Sequence, residues 1–206
     1  MKKIIQEWEI DKAAQKGTVF KVDEHNTLTP AARDRLKELG LSLQIVKSPA
    51  VRQTDVKDIL PVKIIALAAD HGGFEVKELL REFLRKKGYK VHDLGPSTNA
   101  ACDYPDYALK VARMVANQKA DCGIMIDSVG IGSAMAANRV KGVLAAKCNS
   151  AFEARSAREH NYANVLTLGS KTLGIEIIKE IVHAFLTTGG GAERHQRRVK
   201  KIFDLD

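Results

Sequence analysis

The stretch that decides the fold is residues 122–138, which read CGIMIDSVGIGSAMAAN. An apolar run ends at the carboxylate of Asp127, and a glycine-spaced turn then leads into small residues that suit a helix. This order predicts a buried strand, a tight loop and a helix start, whose free backbone N–H groups form an anion site. A carboxylate on the lip of that site is placed to move a proton. The alternative is an ordinary strand-to-helix turn with a solvated aspartate.

Several classes of protein are excluded by motif and composition. The turn is not G-x-G-x-x-G and has no P-loop lysine, so neither nucleotide-binding signature is met. No apolar run approaches the roughly 20 residues of a membrane span, and charges interrupt the N-terminus where a signal peptide would be apolar. Three widely spaced cysteines without C-x-x-C indicate free thiols in an intracellular protein with no metal site.

The net charge of +8 admits two explanations. Basic residues are scattered and aromatic residues make up only 5%, which disfavours nucleic-acid binding. A small phosphorylated substrate needs only a few arginines, and this explanation is the one we favour.

From residue 62 onward, apolar runs that suit buried strands alternate with amphipathic helices. This pattern predicts an α/β fold, a doubly wound Rossmann-like parallel sheet of about five strands. Ligands in such sheets bind at the carboxyl ends of the strands, where Asp70 and Asp127 are expected to converge. The predicted strands are 62–69, 90–94, 123–126, 142–147 and 165–168, and the predicted helices are 75–87, 107–117, 133–140, 150–159, 175–186 and 194–202.

The first 46 residues predict a small α+β appendage. Residues 4–14 suit a short helix, and residues 18–22 and 41–46 suit strands. Between them, Thr29 is a natural N-cap, Pro30 fits the first helical position, and Gly40 fits the position past the end. We therefore divide the chain into a domain at 1–46, a linker at 47–61 and a domain at 62–206.

Six motifs of the second domain together resemble ribose-5-phosphate isomerase type B, a family that includes the galactose-6-phosphate isomerase subunits. They run in family order from about residue 64 to residue 202: DHGGFEVKELLREFL, DYPDYA, the GIG turn at 130–132, AAN at 136–138, REHNYANVLTLGS and GGGAERHQRRVKKI.

The resemblance implies an aldose–ketose isomerase without metal or cofactor, whose active sites are shared between two subunits of a dimer. Asp70 and His160 would assist opening of the sugar ring. Tyr104 would line the sugar pocket, and Asn161 with the amides of the loop would stabilise the enediolate. The implied substrate-binding residues are His71, Tyr104, Ser128, Gly130, Gly132, Asn161, Lys171, Arg194 and Arg198.

The chemistry of the residues agrees with these roles. Arg194 and Arg198 are four residues apart, so on a helix they share a face and can grip one phosphate. The alternative for this pair is a solvated basic tail. His160 alone is compatible with a structural histidine, and its position beside Asn161 favours the functional interpretation. Histidines without such neighbours are interpreted as surface or structural residues: His92, His183 and His195.

One departure from the family concerns the base. Most members carry a cysteine at the position of Asp127, and IDSVGIG resembles the aspartate-bearing subunit of galactose-6-phosphate isomerase more closely. An aspartate with an ordinary pKa of about 3.9 needs burial or a neighbouring carboxylate to become a better base. Three outcomes stay open: a working isomerase with an aspartate base, an altered sugar specificity, or a subunit that needs a partner.

The N-terminal string HNTLTPAARDRLKELGLSLQIV resembles the N-terminal segment of cobalamin adenosyltransferases associated with bacterial microcompartments. The resemblance implies a docking module for shell or partner proteins, and the alternative is a small regulatory or oligomerisation domain.

Taken together, these features predict a cytoplasmic homodimer or homotetramer that interconverts ribose 5-phosphate and ribulose 5-phosphate of the pentose phosphate route, with Asp127 as base. Docking would place it inside a microcompartment. The alternatives are an isomerase of a six-carbon sugar phosphate (galactose or allose 6-phosphate) and a non-catalytic sugar-phosphate-binding or scaffold protein. Nucleic-acid and membrane partners are not expected.

Overall fold

The structure, a computed structural model, describes residues 4–15, 19–23, 26–46 and 61–205. The backbone divides into two compact units, Met1–Ala50 and Val51–Asp206. The stretch that the sequence predicts as a linker lies, except for residue 61, outside the described residues. No helix of the described ranges is both long and apolar enough to cross a membrane.

In its described residues, the N-terminal unit has two helices and two pairs of short parallel strands. Ile4–Ile5 pairs with Thr27–Leu28, and Val19–Asp23 pairs with Ser42–Val46. Six buried apolar residues form its core, and a 2.7 Å ion pair between Arg35 and Asp11 joins the two helices. Its elements are β1 (Ile4–Ile5), α1 (Glu7–Ala14), β2 (Val19–Asp23), β3 (Thr27–Leu28), α2 (Pro30–Glu38) and β4 (Ser42–Val46).

The predicted ends of α2 are confirmed. The Thr29 side chain accepts a hydrogen bond from the amide of Ala32, Pro30 opens the helix, and Gly40 takes a positive φ of 62° past its end. The predicted helix at 4–14 is wrong at its start, because Ile4 and Ile5 pair with Thr27 and Leu28 as a strand. Two-residue strands are too short to leave a periodic signal in the sequence.

The second unit is a five-stranded parallel sheet, and the predicted fold class is confirmed. The strand order is β6-β5-β7-β9-β8, with every pair parallel. Its elements are β5 (Ile64–Ala69), α3 (Phe74–Lys86), β6 (Lys90–Asp93), α4 (Tyr104–Ala116), β7 (Cys122–Asp127), α5 (Ile131–Ala137), β8 (Ala145–Lys147), α6 (Ala151–Glu159), β9 (Val165–Gly169), α7 (Ile175–Thr187) and α8 (Glu193–Phe203).

Both faces of the sheet are covered by helices. On one face α3, α6 and α7 bury a cluster that includes Leu80, Ile126 and Phe185. On the other face, small residues of α4 and α5 pack against Ala66 and Met125. Burial on both faces explains why the central strands are continuous apolar runs rather than alternating ones.

The helix after β7 begins and ends earlier than the 133–140 that the sequence predicts. Gly130 caps it with a φ of 86°, a conformation that favours glycine, so α5 starts at Ile131. It ends at Ala137 because the Asn138 side chain bonds both the amide and the carbonyl of Ala145 and so ties the chain to β8.

A buried ion network fixes the segment between β6 and α4. The Lys77 ammonium, 1% exposed, lies 3.0 Å from the Asp93 carboxylate and donates to the Pro96 carbonyl at 2.8 Å. Burial by itself raises the pKa of Asp93, but hydrogen bonds from the Gly95 amide, Lys77 and Arg81 outweigh it and lower that pKa. The network thus holds the loop that leads to Tyr104.

Candidate active site

The candidate site lies where the strand order reverses. The chain passes from β5 outward to β6 and then returns to the other side of β5 to form β7. Ligands of doubly wound sheets bind at such a switch point, outside the carboxyl ends of the strands. Asp70 directly follows β5 and Asp127 ends β7, and each is 6% exposed. The predicted convergence of these two carboxylates at one edge of the sheet is therefore observed.

The Asp127 carboxylate binds its own loop. One oxygen, Oδ1, accepts hydrogen bonds from the amides of Val129, at 2.7 Å, and Gly130. The other, Oδ2, accepts from the amide of Ser133 at 3.2 Å and from the Ser133 hydroxyl. In this structure, the anion nest that the glycine turn forms is thus occupied by the aspartate at its entrance.

The loop after β5 meets the loop after β7 at Gly72, which lies beside Ser128. A Cβ placed on Gly72 would lie 2.5 Å from the Ser128 hydroxyl and 3.3 Å from Oδ1 of Asp70. The Ser170 hydroxyl donates to the Gly72 carbonyl at 2.7 Å, which adds the loop after β9 to the same place. A side chain at this position would have to displace the Ser128 hydroxyl, so glycine leaves room for that hydroxyl beside the backbone that follows Asp70.

Three more predicted residues join this edge. The Tyr104 ring packs on α5, because a Cβ on Gly132 would lie 2.6 Å from the ring. His71 Nδ1 lies 3.0 Å from the Cys102 carbonyl, and the Lys171 amide donates to the Ser128 carbonyl at 3.1 Å. A cavity of about 440 Å³ opens beside His71 and is lined by His71, Ala101, Cys102, Asp103, Asp106, Tyr107 and Lys110.

The remaining predicted residues lie at the opposite edge. His160 and Asn161 follow α6 and precede β9, so they belong to the amino ends of the strands. Gly191, just before α8, donates to the Glu159 carbonyl at 2.8 Å and thereby ties the start of α8 to the end of α6. Arg194 and Arg198 lie on α8 and are exposed, in the i, i+4 spacing that puts them on one face.

The predicted site residues thus form two groups. We call the first the carboxyl-edge group: Asp70, His71, Tyr104, Asp127, Ser128, Gly130, Gly132 and Lys171. The second is the amino-edge group: His160, Asn161, Arg194 and Arg198. Strands of five or six residues separate the two edges, a rise of roughly 15 to 20 Å. One chain alone does not bring the two groups to one substrate.

His195, which the sequence alone indicates as a surface or structural residue, lies beside the amino-edge group. The His195 ring stacks on the His160 ring with centroids 4.5 Å apart, and His195 is 7% exposed. Burial, the charge of Arg194 and the neighbouring His160 and Arg198 lower the pKa of His195. Its place next to Arg194 in a motif of the resemblance was the signal that could have identified it.

Neither of the two buried cysteines, Cys122 and Cys148, is a candidate for the catalytic base. Burial raises the pKa of Cys122 and of Cys148 to about 12, so both stay protonated at neutral pH. They fill core space as small apolar groups.

Comparisons with known proteins agree with this fold. The family model described as Ribose/Galactose Isomerase matches residues 65–202. Ribose-5-phosphate isomerase B of Escherichia coli is 40% identical over 145 residues, which is 70% of this chain and 97% of that protein. The LacA subunit of galactose-6-phosphate isomerase from Streptococcus equi is 38% identical over 138 residues, 67% of this chain and 96% of that one.

The chain is also similar to solved structures of the same family. Ribose-5-phosphate isomerase B of Mycoplasma genitalium with bound ribulose 5-phosphate has a TM-score of 0.66 and 44% identity, and the match covers 69% of this chain and 95% of that one. The sheet, the strand-end carboxylates and these matches lead to one conclusion: the chain belongs to the ribose/galactose isomerase family and is a sugar-phosphate isomerase.

Proposed function

We propose that this protein interconverts ribose 5-phosphate and ribulose 5-phosphate through an enediolate. The observation that carries the proposal is the pair of buried carboxylates, Asp70 and Asp127, at the switch point of the sheet. Isomerisation moves a proton between two neighbouring carbons, which requires a base at the carbon and donors for the developing oxyanion. The relative from Mycoplasma genitalium holds the ketose of this pair, which supports the choice of five-carbon substrate.

In this proposal Asp127 is the base. Its carboxylate is 6% exposed, so a bound sugar would meet it away from bulk water. Asp70, with Oδ1 already 3.0 Å from the Gly73 amide, acts in ring opening with His160 of a second copy of the chain. Asp127 already binds the amides of Val129, Gly130 and Ser133, so these amides do not also bind the enediolate. In the proposal the Ser128 hydroxyl and Asn161 of the second copy stabilise the enediolate, and Tyr104 lines the sugar pocket.

Charge supports the proposed phosphate site. Arg194 and Arg198 are exposed on one helical face, where two guanidinium groups can hold one phosphate by paired hydrogen bonds. His71 is the next candidate, and Lys171 would add charge at the carboxyl edge. Because these arginines lie at the other edge of the sheet from Asp127, we propose that a second copy of the chain supplies them. The active protein is then a homodimer, or a homotetramer built from such dimers.

The second candidate is an isomerase of a six-carbon sugar phosphate. Similarity to a galactose-6-phosphate isomerase subunit favours it, as does the aspartate at the position of the base. The distinguishing experiment compares turnover of ribose 5-phosphate, allose 6-phosphate and galactose 6-phosphate by the purified protein without added metal. We expect ribose 5-phosphate to have the highest kcat/KM, by at least about tenfold. A preference for either six-carbon sugar would contradict the proposed substrate.

For the N-terminal unit we propose docking to microcompartment shell or partner proteins. Large apolar side chains are exposed on this small unit: Ile4, Trp8, Leu43 and Ile45. Leu43 and Ile45 lie two positions apart on β4 and so share one face of the strand, which supports a docking surface there. We expect deletion of residues 1–60 to leave isomerase turnover within about twofold and to abolish co-purification with shell proteins. Unchanged co-purification would exclude docking and favour a regulatory or oligomerisation role.

A further inference from the structure

The hydrogen-bond partners of the Asp127 carboxylate differ in whether they can also accept a hydrogen bond. Oδ1 is bound by two backbone amides of the turn, from Val129 and Gly130. Oδ2 is bound by one amide at 3.2 Å and by the hydroxyl of Ser133, a residue of the helix α5 that is fully buried. Backbone amides only donate hydrogen bonds, whereas a hydroxyl can donate or accept.

This difference matters for a base. A carboxylate that has taken a proton becomes a donor, and its new O–H needs an acceptor once it is buried. Among the partners that the described residues give this carboxylate, Ser133 Oγ is the one that can turn from donor to acceptor. The Ser133 hydroxyl contacts Oδ2, whereas the two amides of the turn contact Oδ1.

We infer that Ser133 is the positioning residue for proton transfer at Asp127. The inference rests on the proposed function and adds a residue to it. Before transfer, the Ser133 hydroxyl donates to Oδ2. The substrate C–H bond then breaks, its electron pair stays on the enediolate, and the proton moves to Oδ2. The hydroxyl rotates to accept from the new O–H, which exchanges its hydrogen with solvent and then protonates the neighbouring carbon.

The experiment compares wild type with Ser133→Ala and Ser133→Thr, using ribose 5-phosphate with hydrogen or deuterium at C2. For Ser133→Ala we expect kcat to fall about 10- to 100-fold, with KM within about twofold. The deuterium isotope effect on kcat should rise above the wild-type value, because proton transfer becomes the slow step. Ser133→Thr keeps the hydroxyl and is expected to recover most of the turnover.

Thr167→Val is the matched control. Its buried hydroxyl donates to the Gly130 carbonyl at 2.7 Å, so the variant removes a hydrogen bond to the same loop without touching the carboxylate. A loss that only reflects loop stability would lower activity in both variants and leave the isotope effect unchanged, and that result would overturn the inference.

Different results would disprove the proposed function and the role of Ser133. If wild type converts none of the three sugar phosphates, the proposed function fails and takes the inference with it. If wild type is active and Ser133→Ala keeps wild-type kcat and isotope effect, only the role of Ser133 is overturned.

Discussion

Asp127→Asn is expected to lower kcat for ribose 5-phosphate about 10²- to 10⁴-fold while KM changes little, because the amide cannot take the proton. Asparagine is the right replacement for this position. It keeps one oxygen for the amides of Val129 and Gly130, and its NH₂ group can donate to the Ser133 hydroxyl. The bond it loses is the long one, at 3.2 Å, from the Ser133 amide. The loop thus retains its shape while the basic oxygen is lost. Steady-state kinetics with a ribulose 5-phosphate readout measures the effect.

Asp127→Ala is a poorer probe of catalysis. It would leave the buried amides of the turn without acceptors and destabilise the fold by about 3 kcal/mol. A suitable control is Glu180→Gln, which removes an exposed carboxylate from α7 that belongs to neither group of site residues. We expect the control to keep wild-type kinetics. Retention of more than about a tenth of wild-type kcat in Asp127→Asn would contradict the assignment of the base.

Mixing two inactive variants is expected to restore activity. One variant carries Asp127→Asn at the carboxyl edge, and the other carries Arg194→Ala with Arg198→Ala at the amino edge. Each alone should lose at least about 100-fold in kcat/KM, since a lost base or a lost phosphate clamp is worth that much. If each site takes one group from each subunit, half of the random dimers are mixed and each has one intact site. Turnover should therefore reach about one quarter of wild type.

The control for this experiment mixes Asp127→Asn with Asp70→Asn. Both residues lie in the carboxyl-edge group, so every site in the mixed dimer contains one defect. This mixture should stay inactive. If the first mixture shows only the sum of its parents, the site is complete within one chain and the proposed sharing between subunits is wrong. Refolding the mixed variants together, followed by the ribulose assay, provides the measurement.

The sequence predicts the fold well because its signals are local and periodic. Residues 64–69 and 122–126 are apolar without interruption, which indicates strands buried on both faces. Thr29 and Pro30 mark a helix start by capping chemistry alone. The β1 and β3 strands were missed because two residues carry no period, and their pairing depends on contacts 23 positions apart, from Ile4 to Thr27.

The site was predicted less completely, for geometric reasons. Spacing indicated that the loop amides form an anion nest, but it did not reveal that Asp127 itself occupies the nest. That outcome depends on the Gly130 backbone, with a φ of 86°, and on Ser133 six residues along the chain. The motifs likewise named His160 and Asp127 for one site, whereas strand direction places them at opposite edges. Only the sheet topology separates the two groups.

The most direct test of the central claim is isomerisation of ribose 5-phosphate in D₂O, followed by NMR of the sugar carbons. The account predicts that wild type forms ribulose 5-phosphate with deuterium at C1, because the enediolate is reprotonated by a group that exchanges with solvent, and that Asp127→Asn gives neither product nor label. Absence of conversion by wild type, or conversion that Asp127→Asn leaves undiminished, would contradict it.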